Sequence, residues 1–146
     1  MIITDLAEAR KLAESRTQPN LSFLPYSEQK LLESIRKQYF PQIPYRVQLH
    51  FVNRGPLACV YFEEDRAHIY VHQVLNHSET PEEVIKLICK HEFLHLTIPS
   101  KWKNETEVQH PPEFWEAEKR ITPERIKAWS WIWANLWMCL KRHPGL

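Results

Sequence analysis

Glycine is almost missing from this chain: only Gly55 and Gly145 occur among its 146 residues. Loops that cradle phosphate bring backbone N–H groups close to the ligand through several glycines, so a nucleotide-binding loop of that kind is excluded. Cysteine is also scarce. Cys59, Cys89 and Cys139 are odd in number, widely spaced and form no CxxC pair, which argues against a disulfide framework and for a reducing compartment. Charge of one sign is lacking too. With 19 basic and 18 acidic residues the formal net charge is +1, which gives no general field for nucleic acid. The short clusters Lys101-Trp102-Lys103, Lys119-Arg120 and Lys141-Arg142 read as solvated surface. No apolar run approaches the ~18 residues of a membrane span, and the acidic stretch Met1–Glu8 has no signal-peptide core. The expectation is a cytoplasmic protein. Repeats and low-complexity tracts are absent as well. A chain that is 43% hydrophobic and 25% charged is of ordinary globular composition, and positions 1–146 are long enough for one domain with a core that needs no cross-links.

What the chain does have is His91-Glu92-Phe93-Leu94-His95, the pattern H-E-x-x-H. On an α-helix of about 3.6 residues per turn, positions 91 and 95 share a face and can reach one metal ion, while Glu92 stands beside the first imidazole. Thr80-Pro81-Glu82-Glu83 reads as a helix start, with Thr80 as N-cap and Pro81 in the first helical position, and the helix can run to Pro99. Val84, Leu87, Ile88, His91, Leu94, His95 and Ile98 recur at spacings of three and four, so both histidines fall on the apolar stripe. Two core histidines bonded to backbone carbonyls are the alternative. Cys89 lies two residues before His91 and points to a different face.

A zinc site that keeps a position open for water has three protein ligands. His110 is the best downstream candidate. It precedes Pro111-Pro112-Glu113-Phe114-Trp115-Glu116-Ala117-Glu118, which reads as a helix with proline in its first turn, and Phe114 and Trp115 are placed to pack that helix against the one carrying the histidines. A capping or surface histidine is the alternative at this position.

Ile69-Tyr70-Val71 with Leu75, then Pro81, Leu87-Ile88, His91-Glu92-Phe93-Leu94-His95-Leu96 and His110-Pro111-Pro112-Glu113-Phe114-Trp115, resemble the SprT-like and YgjP-like zinc metallopeptidases and the related WLM group. The match spans residues 45–121, and its most specific part is the pairing of HExxHL with HPPEFW. The resemblance implies an α+β fold: a small zincin-like domain with a short sheet of three or slightly more strands packed on the HExxH helix, and flanking helices. It also implies Zn2+ as cofactor, His91, His95 and His110 as ligands, Glu92 as general base, and a peptide or protein as substrate. DNA-associated members of the group make nucleic acid a partner by resemblance alone. The chain departs from the pattern in three ways. Fourteen residues separate His95 from His110, so Thr97–Gln109 is an inserted loop; no zinc ribbon follows; and the terminal segments match neither group. A rival resemblance is to small gluzincins, in which Glu113 or Glu116 replaces His110 as third ligand.

In such a site zinc activates water near neutral pH and Glu92 takes the water proton. A second donor to the oxyanion is not identified by the sequence. Tyr70, His72 and His50 are the candidates nearest the helix, and each also reads as an ordinary sheet residue.

Leu6–Arg16 reads as a short helix, the first 25 residues as an N-terminal extension, and Ser27–Tyr39 as an amphipathic helix with Leu31, Leu32, Ile35 and Tyr39 inward, stopped by Pro41. Tyr45–Val52, Leu57–Phe62 and Ala67–His72 read as strands, the last as an edge able to hold an extended peptide. Residues 122–142 form a further helix opened by Thr122-Pro123-Glu124-Arg125, with Ile126, Trp129, Ile132, Trp133, Leu136, Trp137 and Leu140 on one stripe, broadened by Trp131 and Met138. That helix closes the core or docks a partner. A zinc-dependent peptidase is the primary expectation. A non-catalytic zinc-binding module, with the inserted loop blocking the cleft, and an interaction protein built on the tryptophan-rich helix are the alternatives. The oligomeric state is not legible.

Overall fold

The computed structural model describes residues 22–142 except positions 54 and 64, with side chains described to position 136. The expected helix at Leu6–Arg16 lies outside these residues. Helix α1, Glu28–Tyr39, starts where the Ser27 hydroxyl accepts the Lys30 N–H at 3.2 Å and ends at Phe40, ahead of Pro41. It buries Leu32 and Ile35. Strands β1 (Arg46–Val52), β2 (Ala58–Glu63) and β3 (Arg66–His72) follow, then a short 3-10 turn at Gln73–Leu75.

Strand order is β1-β3-β2, with β1 parallel and β2 antiparallel to β3. β3 is therefore the centre of the sheet. The expectation of Ala67–His72 as an edge is corrected: β1 and β2 occupy both of its hydrogen-bonding sides, and β2 is the edge packed on the active helix. A β3 buried on alternate residues at Ala67, Ile69 and Val71 is what a covered central strand requires.

Helix α2, Glu82–Thr97, carries the HExxH residues. Its N-cap is Pro81, not Thr80, whose hydroxyl instead donates to the Leu75 carbonyl at 2.9 Å and closes the turn before the helix. Every residue from Leu87 to Leu94 is buried, so the expected one-sided stripe is in fact burial all round. The sheet and α1 lie against α2, Phe40 stacks on Phe93 at 4.9 Å, and the C-terminal helices cover the rest. Buried Lys90 is satisfied where those helices meet: its Nζ donates to the Ile121 carbonyl at 2.8 Å and to Glu124 Oε1 at 2.9 Å.

The insertion Thr97–Gln109 is not an irregular loop. It contains a hairpin, β4 (Lys101–Lys103) with β5 (Thr106–Val108), turned by Asn104 and Glu105, both at positive φ. Lys101 of the hairpin pairs with Glu113. Helix α3 is Pro112–Ile121 and α4 is Arg125–Arg142, kinked at Leu136. Thr122 ends α3 rather than starting α4. On α4, Ala128, Ile132 and Leu136 are buried and Trp129 and Trp131 pack at the core margin, but Ile126 and Trp133 are exposed, so the real inward face is narrower than the expected stripe. The side chains of Trp137, Met138 and Leu140 lie outside the described residues. No described helix is long and apolar enough to cross a membrane.

Candidate metal centre

One turn of α2 sets the His91 and His95 rings 5.0 Å apart, close to perpendicular. His110 joins them from the segment just before α3, where Pro111 is the N-cap and Pro112 the first helical residue, so the backbone at the approach is stiff. Its Nε2 lies 3.0 Å from His91 Nε2 and 3.2 Å from His95 Nε2. Phe114, fully buried, lies under the cluster with its ring 4.6–4.9 Å from all three imidazoles. Trp115 stacks on His110 at 4.9 Å. His91 is buried while His95 and His110 are half-buried, so the cluster opens to solvent on one side.

The donor set fits a tetrahedral cation. Zinc–nitrogen bonds of about 2.0–2.1 Å place ligand nitrogens about 3.3 Å apart, close to the separations observed. Burial, with the neighbouring His91 and His110 charges, holds the His95 pKa down at about 3; burial, with His91, holds His110 at about 4. Both rings are neutral at pH 7. Three imidazole nitrogens facing one point are lone-pair-rich, and one shared proton cannot satisfy all of them. Among the described residues their partners are one another and not the backbone carbonyls that core histidines were expected to meet.

Behind His91 stands a residue that the sequence reading did not single out. Glu118 is completely buried, and His91 Nδ1 lies 2.7 Å from its Oε1. An Nδ1–H donated to this carboxylate leaves the Nε2 lone pair facing the cluster. Oε2 of the same carboxylate receives Arg125 Nε at 2.9 Å and Trp129 Nε1 at 3.4 Å. Burial alone would raise the Glu118 pKa, but the hydrogen bonds from His91, Arg125 and Trp129 outweigh it and keep the group ionised. A signal was present in the sequence: Phe114, Ala117, Glu118 and Ile121 lie on one helical face, so a glutamate occupies the apolar stripe of α3.

Glu92 is 2% exposed, and its side chain has no hydrogen-bond partner among the described residues. Burial raises its pKa to about 7, against a lowering influence from His91. Strand β2 lies close by: Cys59 has its thiol pKa raised by burial and then by the Glu92 charge. Glu113 and Glu116 are exposed and stand outside the cluster. His50 and Tyr70 share a sheet face with His68, with His50 Nε2 2.9 Å from His68 Nδ1 and stacked on Tyr70. His72 Nδ1 accepts the Val74 N–H at 3.0 Å.

In fold, the chain is similar to the metallopeptidase zymogen of Pyrococcus abyssi abylysin, with a TM-score of 0.55 at 22% identity over 76% of this chain and 96% of that one. The likeness is one of fold, a small α+β domain of zincin-like architecture. No family model matches the sequence, and no curated protein does.

Proposed function

We propose that this chain is a zinc-dependent metallopeptidase, with His91, His95 and His110 as ligands and Glu92 as general base. The observation that carries the reading is the convergence of three imidazole nitrogens, one each from His91, His95 and His110 on two separate segments of chain, within 4.8 Å of one another. The pairing of HExxHL with HPPEFW supports a relation to the SprT-like and YgjP-like peptidases.

Zinc, when bound, supplies Lewis acidity toward a carbonyl and makes water a nucleophile near neutral pH. The protein's own part is positional. Glu118 turns the His91 lone pair toward the cluster, and Phe114 and Trp115 fix His95 and His110. A Glu92 carboxylate oxygen takes a proton from water and returns it to the leaving amide nitrogen. Its buried surroundings support this, because a pKa near 7 suits a group that must both accept and release a proton near neutrality. Among the described residues no strand pairs with the outer side of β2, whose Cys59 feels the Glu92 charge, and that side would offer backbone N–H and C=O groups to an extended peptide or protein substrate. A net charge of +1 gives no support to a nucleic-acid partner.

The test is elemental analysis of protein purified without a polyhistidine tag and dialysed, together with peptide hydrolysis by wild type and Glu92→Gln. About one zinc per chain in both, with hydrolysis reduced about 10²–10⁴-fold in the variant, is expected. A chain that neither holds nor takes up zinc sinks the proposal. Zinc with no hydrolysis of any peptide library leaves a zinc-binding module instead.

A further inference from the structure

We propose that Arg125 and Trp129 are positioning residues of the metal centre: by holding Glu118 they fix the carboxylate that orients His91, and so help to set the affinity of the histidine cluster for zinc. The inference rests on the reading of that cluster as a zinc site.

Arg125 and Trp129 are one turn apart on α4, so their side chains leave the same face of the helix. Both end on one atom, Glu118 Oε2, while His91 is on the other oxygen, Oε1. A carboxylate gripped on one oxygen by two donors cannot rotate freely about its last torsion, so the remaining oxygen is held where His91 Nδ1 meets it. The Glu118 side chain is wholly buried and that of Arg125 is only 30% exposed, so water does not readily replace either partner. Released from this grip, Glu118 would reorient, the His91 tautomer and ring plane would no longer be enforced, and part of the binding energy of the metal would be spent on ordering them.

The tryptophan-rich helix thereby acquires a role that its composition does not announce. Its first two turns are the back wall of the site. Lys90, one residue before His91, ties the same corner through Ile121, the last residue of α3, and Glu124, just before α4, so the α3–α4 junction is anchored to α2.

The experiment is zinc affinity by competition with a chromophoric chelator, on the full tag-free chain, for wild type, Glu118→Gln, Arg125→Met, Arg125→Lys, Trp129→Phe and the double variant Glu118→Gln/Arg125→Met. Thermal unfolding of the metal-free forms is followed in parallel. Glu118→Gln is expected to weaken zinc binding about 10–100-fold, Arg125→Met about 10-fold, and Trp129→Phe, which keeps the ring and loses the N–H, a few-fold. Arg125→Lys recovers part of the loss. In the Glu118→Gln background, Arg125→Met adds less than about twofold, because its target is already altered. A helix anchor with no link to the metal would lower the metal-free melting temperature and leave the affinity unchanged. Wild-type zinc affinity in Arg125→Met and Trp129→Phe, or full additivity in the double variant, overturns the proposal while leaving the zinc site standing. Absence of zinc from the wild type overturns both. If metal-free Arg125→Met shows no unfolding transition, the Trp129→Phe affinity decides.

Discussion

His91 and His110 hold their Nε2 atoms 3.0 Å apart across nineteen positions of sequence, with a β-hairpin folded between them. Such a distance between two imidazole nitrogens is a hydrogen bond or a shared cation. His95 Nε2 lies 3.2 Å from the same His110 atom, so three imidazoles surround one point, an arrangement that fits a metal ion.

The third ligand is thus testable by subtraction. His110→Ala is expected to abolish stoichiometric zinc after dialysis, since His91 and His95 alone leave two positions to solvent. Glu113→Ala and Glu116→Ala are expected to keep it, because both side chains are exposed and Glu113 is engaged with Lys101. Elemental analysis of the three variants checks this. Zinc retained by His110→Ala and lost from either glutamate variant would move the ligand to that glutamate.

Much of this site was legible in the sequence. The HExxH spacing, the proline-opened helix after His110 and the period-two runs of the strands are local patterns, and each of these elements formed close to its expected bounds, the helix after His110 running on past Glu118 to Ile121. Strand order was not legible, because Ala67–His72 alternates as any half-buried strand does and only its partners make it central. The hairpin escaped for a different reason: three-residue strands with exposed side chains, turned at Asn104-Glu105 without glycine, give no periodic signal. Glu118 was not singled out, although it lies on the apolar face of its helix with Phe114, Ala117 and Ile121. Its partners on α4, Arg125 and Trp129, are a tertiary fact that the sequence does not carry.

Metal-free protein should respond to pH in two opposite senses. Glu92 has its pKa raised to about 7 by burial, so the folded chain holds a proton that the unfolded chain releases near 4.5. Its contribution is fully present below the unfolded pKa and is lost as pH rises through about 7. His95 and His110 are depressed to about 3 and about 4, so their contribution is present above about 6.5 and lost as pH falls toward those values. Glu92→Gln is therefore expected to stabilise the metal-free chain at pH 8, by up to about 3 kcal/mol, and to have little effect at pH 4. Denaturant melts in chelator at both pH values check it. Equal stability of wild type and variant at pH 8 would mean that Glu92 is solvated.

Lys90 gives a sharper stability test than any surface ion pair. Its side chain and that of Glu124 are 4% and 15% exposed, at 2.9 Å, and the Ile121 carbonyl shares the ammonium. Lys90→Met removes the cation and strands both acceptors, and is expected to cost about 3 kcal/mol. The added change Glu124→Gln should recover part of that, because it removes the uncompensated charge. Denaturation of the single and double variants decides, and a double variant no more stable than Lys90→Met would show that the carbonyl, not the carboxylate, carries the effect.

The last helix can be divided residue by residue between packing and display. Ile132 is fully buried and its chain neighbour Trp133 is 63% exposed, so the two lie on different faces of α4. Ile132→Ala leaves a cavity in the core shared with Ala128 and Leu136, and should destabilise by about 2–5 kcal/mol. Trp133→Ala removes a much larger side chain from a wetter place and should change stability by less than about 0.5 kcal/mol. Chemical denaturation of both compares them directly. The reverse order would mean that the tryptophan is covered in solution, by a second copy of the chain or by a partner, and a concentration dependence of the Trp133→Ala effect would separate those two cases.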